Sequence, residues 1–352
     1  MNSSRNAPAT SGEVLPGSPA YGRPAEGSGG RRHRWRLPPR VPPNLFGIPF
    51  GTAGLAAAWH AAVPAIGTPQ AIPDVINIVA AISWLILVVA YAAQGPRQVL
   101  ADLRHPVLAP FVPLPAVTAM LLGAALAGYA VEAGRAVVLT FLAITIAVGG
   151  WLTGQWMTGD LDPGSLHPGY FLPTVAGGLV GALAAAQVGL HAIAEASFGI
   201  GIVCWFLLGS IMLNRLLFRP PVPAAFLPTM AIELAPPAVG GIAYSFLNGG
   251  RADFIACALA GYAVLMALAQ LRLLQQYAKL TFTPGFWAFT FSYAAAATDA
   301  LRWITLKHPA GATAYAVVVI TAITGFILAI AARTVVAAIR GQLFPAPPPR
   351  AD

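Results

Sequence analysis

Charge is scarce in this chain. Of its 352 residues, 20 are Lys or Arg and 12 are Asp or Glu, 9% in all. A soluble domain carries roughly a quarter of its residues as charged groups, because its surface must face water. The shortage excludes a soluble globular enzyme, and the 57% apolar content excludes disorder over most of the length. Cysteine is nearly absent too. Cys204 and Cys257 each sit inside a long apolar run, where they read as packing residues and not as a disulfide or metal pair. No GxGxxG, Walker or HExxH pattern occurs, so neither a cofactor nor an enzymatic activity is expected.

The net charge of +8 invites a nucleic-acid reading, but the placement of the bases argues against one. Arg31, Arg32, Arg34, Arg36 and Arg40 precede the first apolar segment, and the remainder lie thinly between segments. Positive flanks of membrane helices account for this pattern. Residues 1–40 hold no apolar core of signal-peptide length and are expected to be a disordered basic tail. Residues 41–340 form the expected membrane domain, and 341–352 a Pro-rich tail.

What the chain has in abundance is apolar segments of about 20 residues, the length that spans a bilayer. Ten are found, at 44–62, 73–93, 106–129, 135–156, 168–190, 193–214, 226–247, 252–273, 285–303 and 312–335. Successive odd segments start about sixty residues apart, and so do successive even ones, a period that indicates five stacked helical hairpins. Proline alternates with the same period. The odd segments contain Pro49, then Pro110, Pro113 and Pro115, then Pro173, then Pro228, Pro236 and Pro237, whereas the even segments have Pro73 alone, at a helix start. Membrane helices tolerate proline in general, but indifferent tolerance would not spare one set. A proline inside a helix frees a carbonyl and bends the axis, and in lipid that carbonyl must face protein or water. The odd helices are therefore expected to line something hollow or polar, with the even helices outside them. The predicted class is an all-α polytopic membrane protein, ten transmembrane helices in five hairpins around a central pore. With the N-terminus taken as cytoplasmic, sixteen of the 20 bases fall inside, against Arg135, Arg251, Arg302 and Lys307 outside. Both termini are thus expected in the cytoplasm.

Catalytic constellations are sparse. Asp160 and Asp162 with His167 suggest a metal-binding loop, as in membrane prenyl- or phosphotransferases, but such enzymes need a second acidic cluster and none is visible. A solvated loop is the simpler reading. His60 and His191 stand near helix ends without partners at ligand spacing. Gly177-Gly178 and Gly240-Gly241 lie in apolar segments, where they allow close helix approach or leave a lumen open. Two acids are read as lying within the membrane, away from the first residues of their segments. Glu233 precedes Pro236-Pro237 and reads either as a proton site or as a partner for backbone freed by the prolines. Asp299, three residues before Arg302, reads as half of a helix-surface ion pair. The ninth segment lacks proline and opens Gly285-Phe286-Trp287-Ala288-Phe289-Thr290-Phe291-Ser292, four aromatics in six residues. A ring pointing into a narrow lumen would block it by bulk and by dewetting.

Four motifs resemble one family. They are Asn44-Leu45-Phe46-Gly47-Ile48-Pro49-Phe50-Gly51 with Trp59, His167-Pro168-Gly169-Tyr170-Phe171-Leu172-Pro173, Leu234-Ala235-Pro236-Pro237-Ala238, and Trp287-Ala288-Phe289-Thr290-Phe291. In this order and over roughly residues 40–340, they are similar to the first, fifth, seventh and ninth helices of the TehA-type tellurite-resistance permeases. That family includes C4-dicarboxylate transporters and the plant guard-cell slow anion channel. The resemblance implies a homotrimer in the cell membrane, one anion pore per protomer, lining by the odd helices, and closure by Phe291. It puts Pro49, Pro173 and Pro236 on kink positions and leaves Pro113 and Pro115 as alternatives for the third helix. Ser292 stands where relatives carry Gly or Pro. The implied cargo is a small, weakly hydrated anion, passed with little discrimination and with cations excluded. The alternative is a proton-coupled carrier of C4-dicarboxylates or of oxyanions such as tellurite, with Glu233 as its titratable group.

Overall fold

In a computed structural model, residues 40–159 and 161–342 are described. The expected tails fall almost wholly outside these residues, as does Asp160. The described residues are helical, with no strand among them. The α-helices in chain order are α1 (Gly47–Ile66), α2 (Ala71–Ala92), α3 (Pro96–Arg104), α4 (Leu114–Ala127), α5 (Val131–Thr158), α6 (Gly177–Gln187), α7 (His191–Phe218), α8 (Ala235–Leu247), α9 (Phe254–Tyr277), α10 (Trp287–Lys307) and α11 (Ala312–Ile339).

Eight stretches are long and apolar enough to cross a membrane. Five of them, α2, α5, α7, α9 and α11, are only 11–28% buried, and the other three, which contain α4, α6 and α8, are 56–89% buried. The exposed side chains of the first group are large and aliphatic, such as Ile78, Ile82, Leu85 and Ile86 on α2 and Val264, Leu265 and Leu268 on α9. A continuous apolar surface of this kind suits hydrocarbon and not water. The buried group packs in a closed ring: α1 touches α4, α4 touches α6, α6 touches α8, α8 touches α10, and α10 returns to α1. Each ring helix also packs against the helix that follows it, α1 on α2, α4 on α5, α6 on α7, α8 on α9 and α10 on α11. Close approach between α6 and α7 depends on glycine: a Cβ on Gly178 would lie 2.5 Å from the backbone nitrogen of Gly201.

The ring helices α1 and α10 are not among the eight apolar stretches. Much of α1 is glycine and alanine, and α10 carries Asp299, Arg302 and Lys307. A helix shielded from lipid by its neighbours has no need of a greasy circumference.

The prolines expected inside the odd segments sit mainly where irregular backbone becomes α-helix. Pro113 caps α4 and Pro115 is in its first turn, after a 3-10 turn at Ala109–Phe111. Pro236 and Pro237 open α8, after a 3-10 stretch at Ala224–Leu234 that holds Pro228. Pro173 lies in a π-helical turn, Leu172–Ala176, leading into α6. Pro49 is the third residue of α1, whose interior proline is Pro64. First-turn amides have no helical acceptor, so proline at these positions sacrifices no hydrogen bond.

Helix α3 was not among the expected segments. Its Asp102 is wholly buried and accepts hydrogen bonds from Tyr91 Oη (3.0 Å), Gln98 Nε2 (3.0 Å) and Arg40. Gln94 pairs with both the amide and the carbonyl of Val41 (3.1 and 3.0 Å), so the start of the described chain is held to the end of α2.

Candidate permeation pathway

Two cavities lie within the ring of α1, α4, α6, α8 and α10. The narrow one, about 120 Å³, lies toward the N-terminal ends of these helices. It is walled by apolar side chains such as Phe50, Leu114, Phe171, Val175 and Ile232, with Asn44, Thr229 and Ser292 among its few polar groups. Thr229 Oγ1 donates to Phe226 O (2.6 Å) and Ser292 Oγ to Ala288 O (3.3 Å), while Asn44 Oδ1 has no partner among the described residues. The wide one, about 1320 Å³, lies toward the C-terminal ends and is lined by His60, Asp74, Arg135, Arg251, Asp299 and Arg302, among others.

Two residues border both cavities, Phe291 of α10 and Val239 of α8. The Phe291 ring lies parallel to that of Phe50 on α1, with centroids 3.6 Å apart and planes at 16°. It is 8% exposed. The ring is held there by a glycine seam. A Cβ on Gly54 would lie 3.0 Å from Phe291 Cδ2, and one on Gly51 only 1.8 Å from Thr290 Oγ1. Trp287, at the start of α10, donates from Nε1 to Thr334 Oγ1 on α11 (2.8 Å). Helix α10 is thus fixed on both sides, and Phe291 projects between the cavities.

The other expected residues fall as follows. Pro236 and Ser292 border the narrow cavity, and Pro49, Pro113, Pro115 and Pro173 border neither cavity. Glu233 also lines neither cavity, and its Oε1 is buried without a partner among the described residues. His60 Nδ1 accepts a hydrogen bond from Gln70 Nε2 (3.0 Å), and His191 is the first residue of α7. Asp162 caps a turn by accepting from Gly164 N (3.0 Å), and no cluster of metal ligands occurs among the described residues.

The surface ion pair expected between Asp299 and Arg302 does not form. Arg302 instead donates to Ser245 Oγ on α8 and stands 4.6 Å above the Phe246 ring. Asp299 is 6% exposed and borders the wide cavity, so both groups face inward and not outward. Spacing of i,i+3 brings two side chains to neighbouring positions on a helix, but α8 competes for the guanidinium.

His167 was expected in a loop and is wholly buried. Its ring lies between those of Phe111 (5.6 Å) and Phe226 (5.0 Å), both of which border the narrow cavity. Nδ1 accepts from Gly169 N (3.1 Å), capping the turn before α6. Burial pushes the imidazole down to about 4, so it is neutral at physiological pH.

Residues 40–335 match the SLAC1 family, described as voltage-dependent anion channels. The chain belongs to this family. It is also 29% identical over 314 residues to the protein named tellurite resistance protein TehA homolog of Haemophilus influenzae, covering 86% of this chain and 93% of that one. With its apolar spans, this membership makes the chain a multi-pass membrane protein of an anion-transport family.

Proposed function

We propose that the protein is a channel for small anions, with one path per protomer running through the two cavities and closed by Phe291. The observation that carries this reading is that the Phe291 ring borders both cavities. In this reading residues 41–340 form a membrane domain of ten spans in five hairpins, with α1, α4, α6, α8 and α10 as the inner set. The N-terminal ends of the inner helices, of whose prolines Pro236 borders the narrow cavity, bring first-turn amides toward the path. Anions that shed water easily then pass with little discrimination. In this reading, which the base-rich segments support, both termini lie in the cytoplasm of a cell-membrane protein and the wide cavity opens outside. Three protomers assemble, each with its own path. Cargo recognition needs no cofactor or metal.

The competing reading, a proton-coupled carrier of C4-dicarboxylates or oxyanions such as tellurite, placed its titratable group at Glu233. That side chain lines neither cavity, which favours the channel.

Planar-bilayer recording of the purified protein tests the proposal. Phe291→Ala is expected to raise chloride current by at least about tenfold, the change produced by lowering a barrier by about 1.4 kcal/mol. The reversal potential should follow the chloride gradient and ignore the pH gradient. Unchanged current from well-folded Phe291→Ala overturns the gate.

A further inference from the structure

Glu233 and Asp299 differ in what they face. Asp299 lies on the same face of α10 as Phe291, Ala295, Thr298 and Arg302, and all five border the wide cavity. Eight residues separate Asp299 from Phe291, about 12 Å along an α-helix. Helix α8 presses close behind the carboxylate: a Cβ on Gly241 would lie 3.1 Å from Asp299 Oδ1. Among the described residues Asp299 accepts no hydrogen bond and joins no ion pair, and Arg302 is held by Ser245 Oγ and the Phe246 ring. A carboxylate left without a protein partner, with its free side toward a cavity, has only water, a proton or a passing ion to meet.

We propose that Asp299 is a proton-binding, specificity-determining residue of the permeation path: ionised, it repels anions approaching Phe291 from the wide cavity, and protonated, it admits them. The proposal rests on the channel reading above. Arg302, one turn further along α10, supplies the opposing positive field that keeps the cavity attractive to anions. The other titratable or charged groups on the cavity wall are His60 of α1, Asp74 at the start of α2, Tyr129 between α4 and α5, Arg135 of α5 and Arg251 between α8 and α9; α8 contributes only neutral groups at this level. Of these, Arg135 is engaged by Glu132 and the Val188 carbonyl, and Arg251 by the Asn248 carbonyl. The bound proton changes the barrier and is not itself carried across.

The test uses full-length Phe291→Ala protein in planar bilayers, so that current is measurable with Asp299 unchanged. Acidifying the wide-cavity side from about pH 8 to about pH 5 should raise chloride current about tenfold, and the same change on the opposite side should not. Adding Asp299→Asn should give high current at every pH, Asp299→Glu should keep the rise, and His60→Gln should also keep it. Arg302→Gln should lower the current at the alkaline end. A pH response that survives Asp299→Asn, or that comes from the narrow-cavity side, overturns the proposal while leaving the gate intact. Should Asp299→Asn not fold, the sidedness of the response and the retention by Asp299→Glu still decide. Absence of current from folded Phe291→Ala overturns the channel reading itself, and the proposal with it.

Discussion

The rings of Phe50 and Phe291 are stacked face to face, 3.6 Å between centroids, and join the start of α1 to the partition between the two cavities. Two rings at this separation make close dispersion contact over their whole faces, without the offset that favours aromatic pairs electrostatically. The seat of the Phe291 ring is therefore set by α1 as well as by α10.

Removing that seat should loosen the partition without deleting it. Phe50→Leu is expected to raise anion leak about two- to tenfold, less than Phe291→Ala. In the double variant the Phe50 effect should vanish, because the ring it steadied is gone. Liposome flux assays on the four proteins would show this. Equal flux from Phe50→Leu and the unaltered protein would mean that the stack does not hold the ring.

The seam between α1 and α10 makes a separate prediction about stability. A methyl group on Gly51 would collide with Thr290, whose Oγ1 donates to Trp287 O at 2.7 Å and is not free to turn away. Gly51→Ala should cost about 1–3 kcal/mol, as overpacking does. Gly47→Ala, which would meet Trp287 Cβ at 3.0 Å, should cost less. Thermal melts in detergent compare them, and an unaltered melting temperature for Gly51→Ala would contradict the close packing.

His167 should make stability fall with acid. Its imidazole is held down to about 4 by burial, whereas in the unfolded chain it titrates near 6.5. Between these values the unfolded state binds the proton and the folded state does not, so stability is full above about pH 6.5 and is lost as pH falls toward 4. The gap corresponds to at most about 3 kcal/mol. His167→Gln keeps a hydrogen-bond acceptor and removes the titration, so its melting temperature should decline less steeply over this range. Parallel pH profiles for the two proteins would rule the role out.

Much of the fold could be read from the chain because lipid imposes a length. Stretches such as 73–93 and 312–335 closely bracket α2 (Ala71–Ala92) and α11 (Ala312–Ile339). Helix α3 is not legible as an apolar segment because it has nine residues and its decisive contact, Asp102 with Arg40, joins positions sixty-two apart. The prolines sit mainly where irregular backbone becomes helix, a place the chain does not reveal, since a hydropathy run does not distinguish a 3-10 lead from the helix it feeds. Phe291 was marked only by its motif. Its position between two cavities depends on side chains from separate ring helices, and no single stretch of sequence encodes that. The inward turn of Asp299 and Arg302 was hidden for the same reason: Ser245 and Phe246 lie on another helix.

In the proposed channel the glycine seam also limits how the path can open. With Gly51 and Gly54 seated against Thr290 and Phe291, α1 and α10 have little slack to slide or tilt apart. The cheapest motion left is a twist of one benzyl side chain about its own bonds, a nanosecond event in an uncrowded site. In the channel proposed above, a stimulus for opening then has only to shift the orientation of one ring, and the scaffold can stay rigid while it does so.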